Sequence, residues 1–462
     1  MVTVFVCSYF LIITIIAIVN GRGKSDSVKY FGSNLSVAAC VAIGAGEWMG
    51  GTSTTGVAEY GYRYGISGAW YTIANGIGIL MLALFFARMF RRTGCKTVSG
   101  IIGKYIGERA GIVSGILILI TLFAVGTSQM TALGTLAETL FGTNSTLSII
   151  IAGLFVVLYT TIGGNETIAK TNIVYIIVLV IGMITALVSS VTDVGVDRIV
   201  SELPSSYFSF GAIGIPKVTS WIIASILGAC TAQAGLQPIL CAKDENTAAK
   251  SSFIIAAIVA PLGIITALLG MVSKIYYPNL ENPKMGLPLL LTRSNTIISI
   301  IMMIALMSAI VSTASPIILS SGTIIVRDLL VVMGKADESD EKTKMRTSKM
   351  CTAISGLICV FMAVFLAQGK TILDIVYFAY SIRGSLFIIL LMGIFNKKYK
   401  ERDAVIAMIL TAATSILWIG YKGIFGMYPI HPEFTETYIA VIVALLSSII
   451  LSMIGDKNEK YN

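Results

Sequence analysis

The sequence predicts an all-α polytopic membrane protein of about 13 transmembrane helices. Three observations carry this. Only 12 % of the 462 residues are charged, where an average soluble domain has roughly 25 %. Apolar residues make up 56 % of the chain, and the mean hydropathy is +0.86. The apolar residues are also grouped, in runs of the ~20 that a membrane helix needs. Together these exclude a disordered chain, a disulfide scaffold and an ordinary soluble enzyme.

The apolar runs lie at 1–20, 34–57, 66–90, 111–139, 145–163, 171–192, 217–240, 251–275, 296–326, 350–368, 373–394, 403–421 and 436–455. The first has no basic n-region and no A-x-A-like cleavage site, and its charges, Arg22 and Lys24, follow it. It therefore reads as a true helix with its N-terminus outside, not as a signal peptide. Alternating the spans from there places 24 of the 33 basic residues in cytoplasmic segments and eight outside. This is the positive-inside bias of a membrane protein, and it accounts for the net charge of +9 without invoking nucleic acid. The remaining one, Arg383, falls inside an apolar run.

Three segments follow: 1–33, an extra N-terminal transmembrane helix and a cytoplasmic linker; 34–394, a ten-helix core; and 395–462, two further helices and a short cytoplasmic tail. The loop at about 327–349 carries a charge run that reads as a solvated connector. The seven cysteines form no C-x-x-C pair and lie mostly in apolar runs, as buried thiols do. The one histidine, His431, builds no zinc cluster.

Two runs have a polar, glycine-rich centre. The second reads Gly44-Ala45-Gly46-Glu47-Trp48-Met49-Gly50-Gly51-Thr52-Ser53-Thr54-Thr55-Gly56. The seventh reads Gly228-Ala229-Cys230-Thr231-Ala232-Gln233-Ala234-Gly235-Leu236-Gln237-Pro238. Glycine frees the backbone from helical angles and proline removes a hydrogen bond. Unwound backbone at membrane depth must be buried in protein or line a cavity, where its carbonyls bind cations and half-helix N-termini favour anions. Small residues also serve close helix packing. The spacing favours the first reading: without the extra helix, these are the first and sixth of ten, as in two inverted five-helix repeats.

On the ninth run, Ala309, Ser312 and Thr313 lie at i, i+3 and i+4 and share a helix face. The two hydroxyls offer oxygens to a small hard cation, and Ala309 adds a carbonyl if Pro316 disturbs the ladder. The alternative is that both hydroxyls bond back to the preceding turn.

These residues resemble the sodium:solute symporters, with their LeuT-type fold. Glu47-Trp48-Met49-Gly50, then Gly56 and Tyr64-Gly65-Ile66-Ser67-Gly68-Ala69-Trp70, look like that family's first core helix and its exit. Gly163-Gly164, Ala169 and Thr171-Asn172 look like its Gly-Gly, Ala and Thr-Asp motif. Gln237 to Lys243 resembles the end of the sixth core helix, and Ser308 to Ser321 with Arg327-Asp328 the eighth. The resemblance spans about residues 30–400. It implies a 5+5 inverted-repeat core with discontinuous first and sixth helices. It also implies a sodium site made of main-chain oxygens near Cys40 and Ile43 with Ala309, Ser312 and Thr313. The chain departs from the pattern at Asn172, where the family has Asp, and at Tyr175, where it has Gln; the first favours a single coupled sodium.

Glu47 and Arg383 are ionisable residues near the middle of a span, costly in hydrocarbon and therefore expected to face the interior. They pair structurally, contact a solute, or act separately. Trp48, Gly50, Gln233 and Gln237 sit beside the breaks, lining the cavity or packing between helices.

The sequence therefore predicts a sodium-coupled secondary symporter of the cell membrane that imports a small organic solute by alternating access, with an amino acid or carboxylate favoured by Arg383. Its partners are the solute, sodium and the bilayer, with no nucleic acid and no organic cofactor. An ion channel and a proton-coupled or uncoupled transporter of the same fold are the alternatives. A polytopic enzyme is disfavoured, because no Ser/His/Asp set, H-E-x-x-H or phosphate-binding Gly-rich motif occurs.

Overall fold

The computed structural model describes residues 2–21, 34–293, 295–331, 341–365 and 372–459. The basic residues Arg22, Lys24, Lys29, Lys335, Lys370 and Lys460 lie outside these. Among the described residues the chain is helical, with one isolated bridge, Leu35–Ala242, as its sole β pairing.

In chain order the helices are α1 (Val2–Gly21), α2 (Val37–Trp48), α3 (Val57–Tyr64), α4 (Trp70–Met81), α5 (Ala87–Arg92), α6 (Val98–Tyr105), α7 (Glu108–Phe141), α8 (Ser145–Val194) and α9 (Val196–Glu202). Then follow α10 (Ile215–Ala229), α11 (Gln233–Leu240), α12 (Glu245–Tyr276), α13 (Gly286–Arg293), α14 (Thr296–Ile324), α15 (Glu341–Phe365), α16 (Ile372–Phe395), α17 (Glu401–Phe425) and α18 (Glu436–Glu459). Eleven helical stretches among the described residues are long and apolar enough to cross a membrane, and Val2–Ile15 and Val37–Trp48 are shorter apolar helices.

The ends of these helices follow from local chemistry. Ser36, Thr97, Asn144 and Asp244 each accept a hydrogen bond from an N–H of the first turn they precede, satisfying a donor with no helical partner. Asp244 lies in a loop, and the Thr247 N–H at 2.7 Å holds its carboxyl below the ordinary carboxylate value.

Both expected breaks are present. Between α2 and the short wide-turned segment Thr52–Gly56, the helix is interrupted over Met49 to Gly51. Between α10 and α11, it is interrupted over Cys230 to Ala232. Pro238 was expected to contribute to the second break; it lies instead inside α11. The fifth and sixth runs are separate spans as expected, Ser145–Gly164 and Thr167–Val194, and the helical path α8 turns between them at Gly164. There φ is +63° and ψ −174°, a conformation open to glycine and strained for other residues.

At one end of the bundle the two broken helices are tied together. Leu35 N–H donates to Cys241 O and Lys243 N–H to Leu35 O, both at 2.9 Å. Arg91 Nε donates to Ala242 O at 2.5 Å. The alternation of spans read from the sequence assigns this end, as an expectation, to the cytoplasmic side.

Candidate functional site

The break after α2 is held open by its neighbours. Gly51 N–H donates to the buried Gln129 Oε1 on α7 at 2.7 Å. A side chain on Gly50 would collide with Thr313 and lie 2.7 Å from Gln129 Oε1. Gly50 is therefore required for close approach and presents no side chain to a ligand.

Where α2 stops, its last carbonyls lose their helical donors. Gly46 O is taken up by α14: Thr313 Oγ1 donates to it, and Ser312 Oγ lies 3.5 Å away. Both hydroxyls also bond back to Ala309 O, Ser312 at 2.8 Å and Thr313 at 3.2 Å. Back-bonding and a shared cation face are thus compatible. The arrangement converges four neutral oxygens, Gly46 O, Ala309 O, Ser312 Oγ and Thr313 Oγ1, from two helices, with Ser312 and Thr313 each 1 % exposed.

The structure alters two details of the sequence reading here. Gly46, and neither Cys40 nor Ile43, presents the carbonyl to Ser312 and Thr313. Cys40 lies six residues earlier, roughly 9 Å along the helix, where its thiol meets Pro238 O at 3.2 Å. Ile43 is buried on the same helix without a hydrogen bond to α14. Pro316 does not free Ala309 O, because a missing N–H at 316 frees the carbonyl four residues earlier. That is Ser312 O, and Asn172 Nδ2 donates to it at 3.2 Å and to Ala42 O at 3.3 Å. Asn172 thus braces α2 against α14, with its Oδ1 buried and unpartnered.

Glu47 and Arg383 are 6 % and 1 % exposed. They do not form a bonded pair: Glu47 Oε2 and Arg383 Nη2 are each buried without a hydrogen-bond partner. Arg383 is nevertheless the charge that acts on Glu47. The guanidinium lies 5.3 Å from the Tyr380 ring centre, and Nε is 3.5 Å from Thr121 Oγ1. Thr231, in the second break, donates to Arg383 O at 2.6 Å, so the break is anchored to α16 beside the charge.

Trp48 enters the space left by the missing side chain of Gly235, where an added Cβ would lie 2.7 Å from its Nε1. Its ring meets Tyr380 edge-on at 6.4 Å. Gln233 and Gln237 hydrogen-bond to groups other than Glu47 and Arg383. Gln233 Oε1 accepts from Val98 N–H at 2.8 Å, capping α6, and its Nε2 donates to Gln237 Oε1 at 3.3 Å. Gln237 Oε1 also accepts from Ser320 Oγ at 2.8 Å. Nearby, Thr97 and Ser99 donate to Asp328 at 3.0 and 2.6 Å. These residues brace α6, α11 and the end of α14.

The sequence reading missed an aromatic column. Tyr71 OH contacts Thr52 Oγ1 at 3.1 Å and Tyr380 OH at 3.2 Å. Tyr71 stacks on Tyr380 at 6.3 Å and meets Tyr377 edge-on at 5.9 Å. Tyr377 stacks on Trp221 at 4.8 Å and 6°.

The family model described as the sodium:solute symporter family matches residues 32–411. The chain is 24 % identical to the sodium/pantothenate symporter of Haemophilus influenzae over 444 residues, covering 91 % of each chain. It is 24 % identical to the osmoregulated proline transporter OpuE of Bacillus subtilis, covering 91 % of this chain and 87 % of that one. Its fold is similar to that of a Na+-coupled sialic acid symporter in a substrate-bound outward-open state, with a TM-score of 0.81, 17 % identity and 98 % of both chains covered. It is also similar to Mhp1, a nucleobase-cation-symport-1 family transporter, with a TM-score of 0.62, 17 % identity and coverage of 93 % and 94 %.

Proposed function

The chain belongs to the sodium:solute symporter family, whose members are integral multi-pass membrane transporters and not enzymes, and from that premise we propose that it is a sodium-coupled importer of a small amino acid or carboxylate. The observation that carries the solute class is the pair of buried atoms without a hydrogen-bond partner, Glu47 Oε2 on α2 just ahead of the first break and Arg383 Nη2 on α16 beside the second. Leaving a buried charge without a partner costs several kcal/mol. A solute carboxylate on Arg383 removes that penalty on one side, and an ammonium or N–H group on Glu47 removes it on the other. Trp48, Tyr71 and Tyr380 supply apolar walls around the two charged ends, the usual make-up of a small-molecule site.

Sodium belongs at the four oxygens of α2 and α14. Gly46 O, Ala309 O, Ser312 Oγ and Thr313 Oγ1 suit a hard cation, which takes several oxygen ligands. A cation there ties the end of α2 to α14 and holds Glu47, the next residue, in position. Solute and ion thereby favour the same arrangement of the first break, which is the differential affinity that coupling requires. The core then rocks against the surrounding helices, in the plasma membrane, with the C-terminus cytoplasmic. Asn172, neutral where the family has Asp, fits one coupled sodium.

Uptake into proteoliposomes by Glu47→Gln and Arg383→Gln variants tests this. Each is expected to lose most sodium-driven uptake while remaining folded. Full uptake by both removes them from the solute site, and recovery on exchanging the two charges assigns them to a structural pair instead.

A further inference from the structure

At the bundle end that carries the Leu35–Ala242 bridge, a polar groove of about 450 Å³ lies between the end of α5 and the start of α12. Arg91, Arg92 and Gly94 line one side, and Asp244, Glu245 and Asn246 the other. At ~30 Å³ per water molecule, the groove has room for a phosphate and its glycerol. Two spans meet their ends here: one runs Thr52–Arg92, the other Glu245–Tyr276. The groove therefore stands where apolar surface gives way to polar surface.

Into the spans, the two helices pack against each other, and their exposed faces carry one pattern. On the first, Leu84 and Phe85 are exposed, and exposed Arg88 and Arg92 follow one and two turns nearer the groove. On α12, Phe253 is exposed, and exposed Lys250 and Asn246 follow toward the groove. Asn246, Lys250 and Phe253 share one helix face by their spacing, and seven residues span roughly 10 Å of axis. Apolar surface thus passes into a cluster of cations over the length that separates a phospholipid's phosphate from its upper acyl chain. The charge balance agrees. Within 88–96 and 243–250 stand six basic residues and two acidic ones. Both acids already have partners: Asp244 accepts from Thr247 N–H at 2.7 Å, and Glu245 pairs with Arg92 Nε at 2.7 Å.

We propose that this groove is a binding site for an anionic phospholipid, with the phosphate held by Arg88, Arg92 and Lys250 and the acyl chains lying on Phe85 and Phe253. Arg91 lines the same groove and donates to Ala242 O at the tie between the broken helices. A lipid seated beside it steadies that tie. The site is separate from the Glu47–Arg383 gap and from the four sodium oxygens, and its occupation requires neither solute nor sodium.

Thermal unfolding of the full-length protein in maltoside detergent at constant ionic strength tests this. The additions are palmitoyl-oleoyl phosphatidylglycerol, the same lipid with a phosphocholine headgroup, or inorganic phosphate. Phosphatidylglycerol is expected to raise the unfolding temperature at mole fractions where phosphatidylcholine does not. The double variant Arg88→Gln/Lys250→Gln should unfold like wild type without lipid, since both side chains are exposed. Its half-saturating mole fraction of phosphatidylglycerol should be about thirtyfold higher, about fivefold for each basic residue lost. The control Lys397→Gln/Arg402→Gln removes two exposed basic residues around the α16–α17 connection and should respond as wild type does. Equal loss in this control would reduce the effect to net charge and overturn the proposal, as would equal stabilisation by phosphatidylcholine. Stabilisation by inorganic phosphate that disappears in the Arg88→Gln/Lys250→Gln variant would assign the groove to a free anion and overturn the lipid. With phosphatidylglycerol bound, maleimide labelling of the buried Cys241 should slow in wild type and not in that variant; an unchanged wild-type rate would overturn the lipid's hold on the tie.

Discussion

Thr313→Val removes one hydroxyl and leaves a side chain of nearly the same shape. In the protein that hydroxyl bonds both Gly46 O and Ala309 O, and Thr313 is 1 % exposed. Ala309 O keeps Ser312 Oγ at 2.8 Å. Gly46 O keeps only the 3.5 Å contact of Ser312 among its side-chain donors, at the outer limit of a hydrogen bond. Leaving a buried carbonyl so poorly satisfied costs about 1–3 kcal/mol, and this loss should appear without sodium. With sodium a second loss is expected, because one of four protein oxygens is gone. If that oxygen contributes ~1.4 kcal/mol or more to binding, sodium affinity falls tenfold or more. Thermal unfolding in detergent, titrated with sodium chloride against potassium chloride at constant ionic strength, separates the two. Sodium stabilisation follows RT ln(1 + [Na+]/Kd), so the variant's curve should start lower and half-saturate at higher sodium. Thr313→Ser, which restores the oxygen, should restore the response. A variant that starts lower but responds to sodium as the wild type does would show that Thr313 only ties α14 to α2, and would refute the cation assignment.

Gly50→Ala should destabilise the protein by about 1–3 kcal/mol through overpacking against Thr313 and Gln129, seen as a lower unfolding temperature and reduced uptake; wild-type values for both would contradict the close approach. Asn172→Asp removes the donor that braces Ala42 O and Ser312 O and adds a charge beside the candidate ligands, so the variant should be less stable than wild type in potassium yet more strongly stabilised by sodium, in the same unfolding assay. Arg91→Ala removes a hydrogen bond to Ala242 O at the tie between the broken helices. The buried thiol of Cys241 should then react faster with maleimide, as located by peptide mass spectrometry; an unchanged rate would show that the Leu35–Cys241 and Leu35–Lys243 bonds hold this end unaided.

Which parts of the molecule were legible in the sequence follows from how local their causes are. The two breaks were legible because small residues at the centre of an apolar run act on their own backbone. The misplaced role of Pro238 has the same root: proline acts on a carbonyl four residues earlier, and a helix tolerates that loss when other groups pack around it. Ser312 and Thr313 were legible as a shared face, because helical spacing sets it. The opposing carbonyl was not, since the rotation of α2 depends on Asn172, Gln129 and the collision that keeps Gly50 bare, all contacts between distant segments. Glu47 and Arg383 stood out as charges in hydrocarbon, but whether they bond each other is decided by tertiary packing. Tyr71, Tyr377 and Tyr380 were hidden among apolar residues that read equally well as core. The available signal was the i, i+3 spacing of Tyr377 and Tyr380 ahead of Arg383 on one apolar run.

The central claim is coupling of solute entry to sodium, and concentrative uptake tests it most directly. Purified protein in proteoliposomes would be given radiolabelled amino acids and carboxylates under an inward sodium gradient, and separately under an equal potassium gradient. At least one solute should accumulate above its external concentration with sodium, fail to do so with potassium, and leave again when a sodium ionophore collapses the gradient. Accumulation that is equal in sodium and potassium, or no accumulation of any solute in either class, would contradict the account.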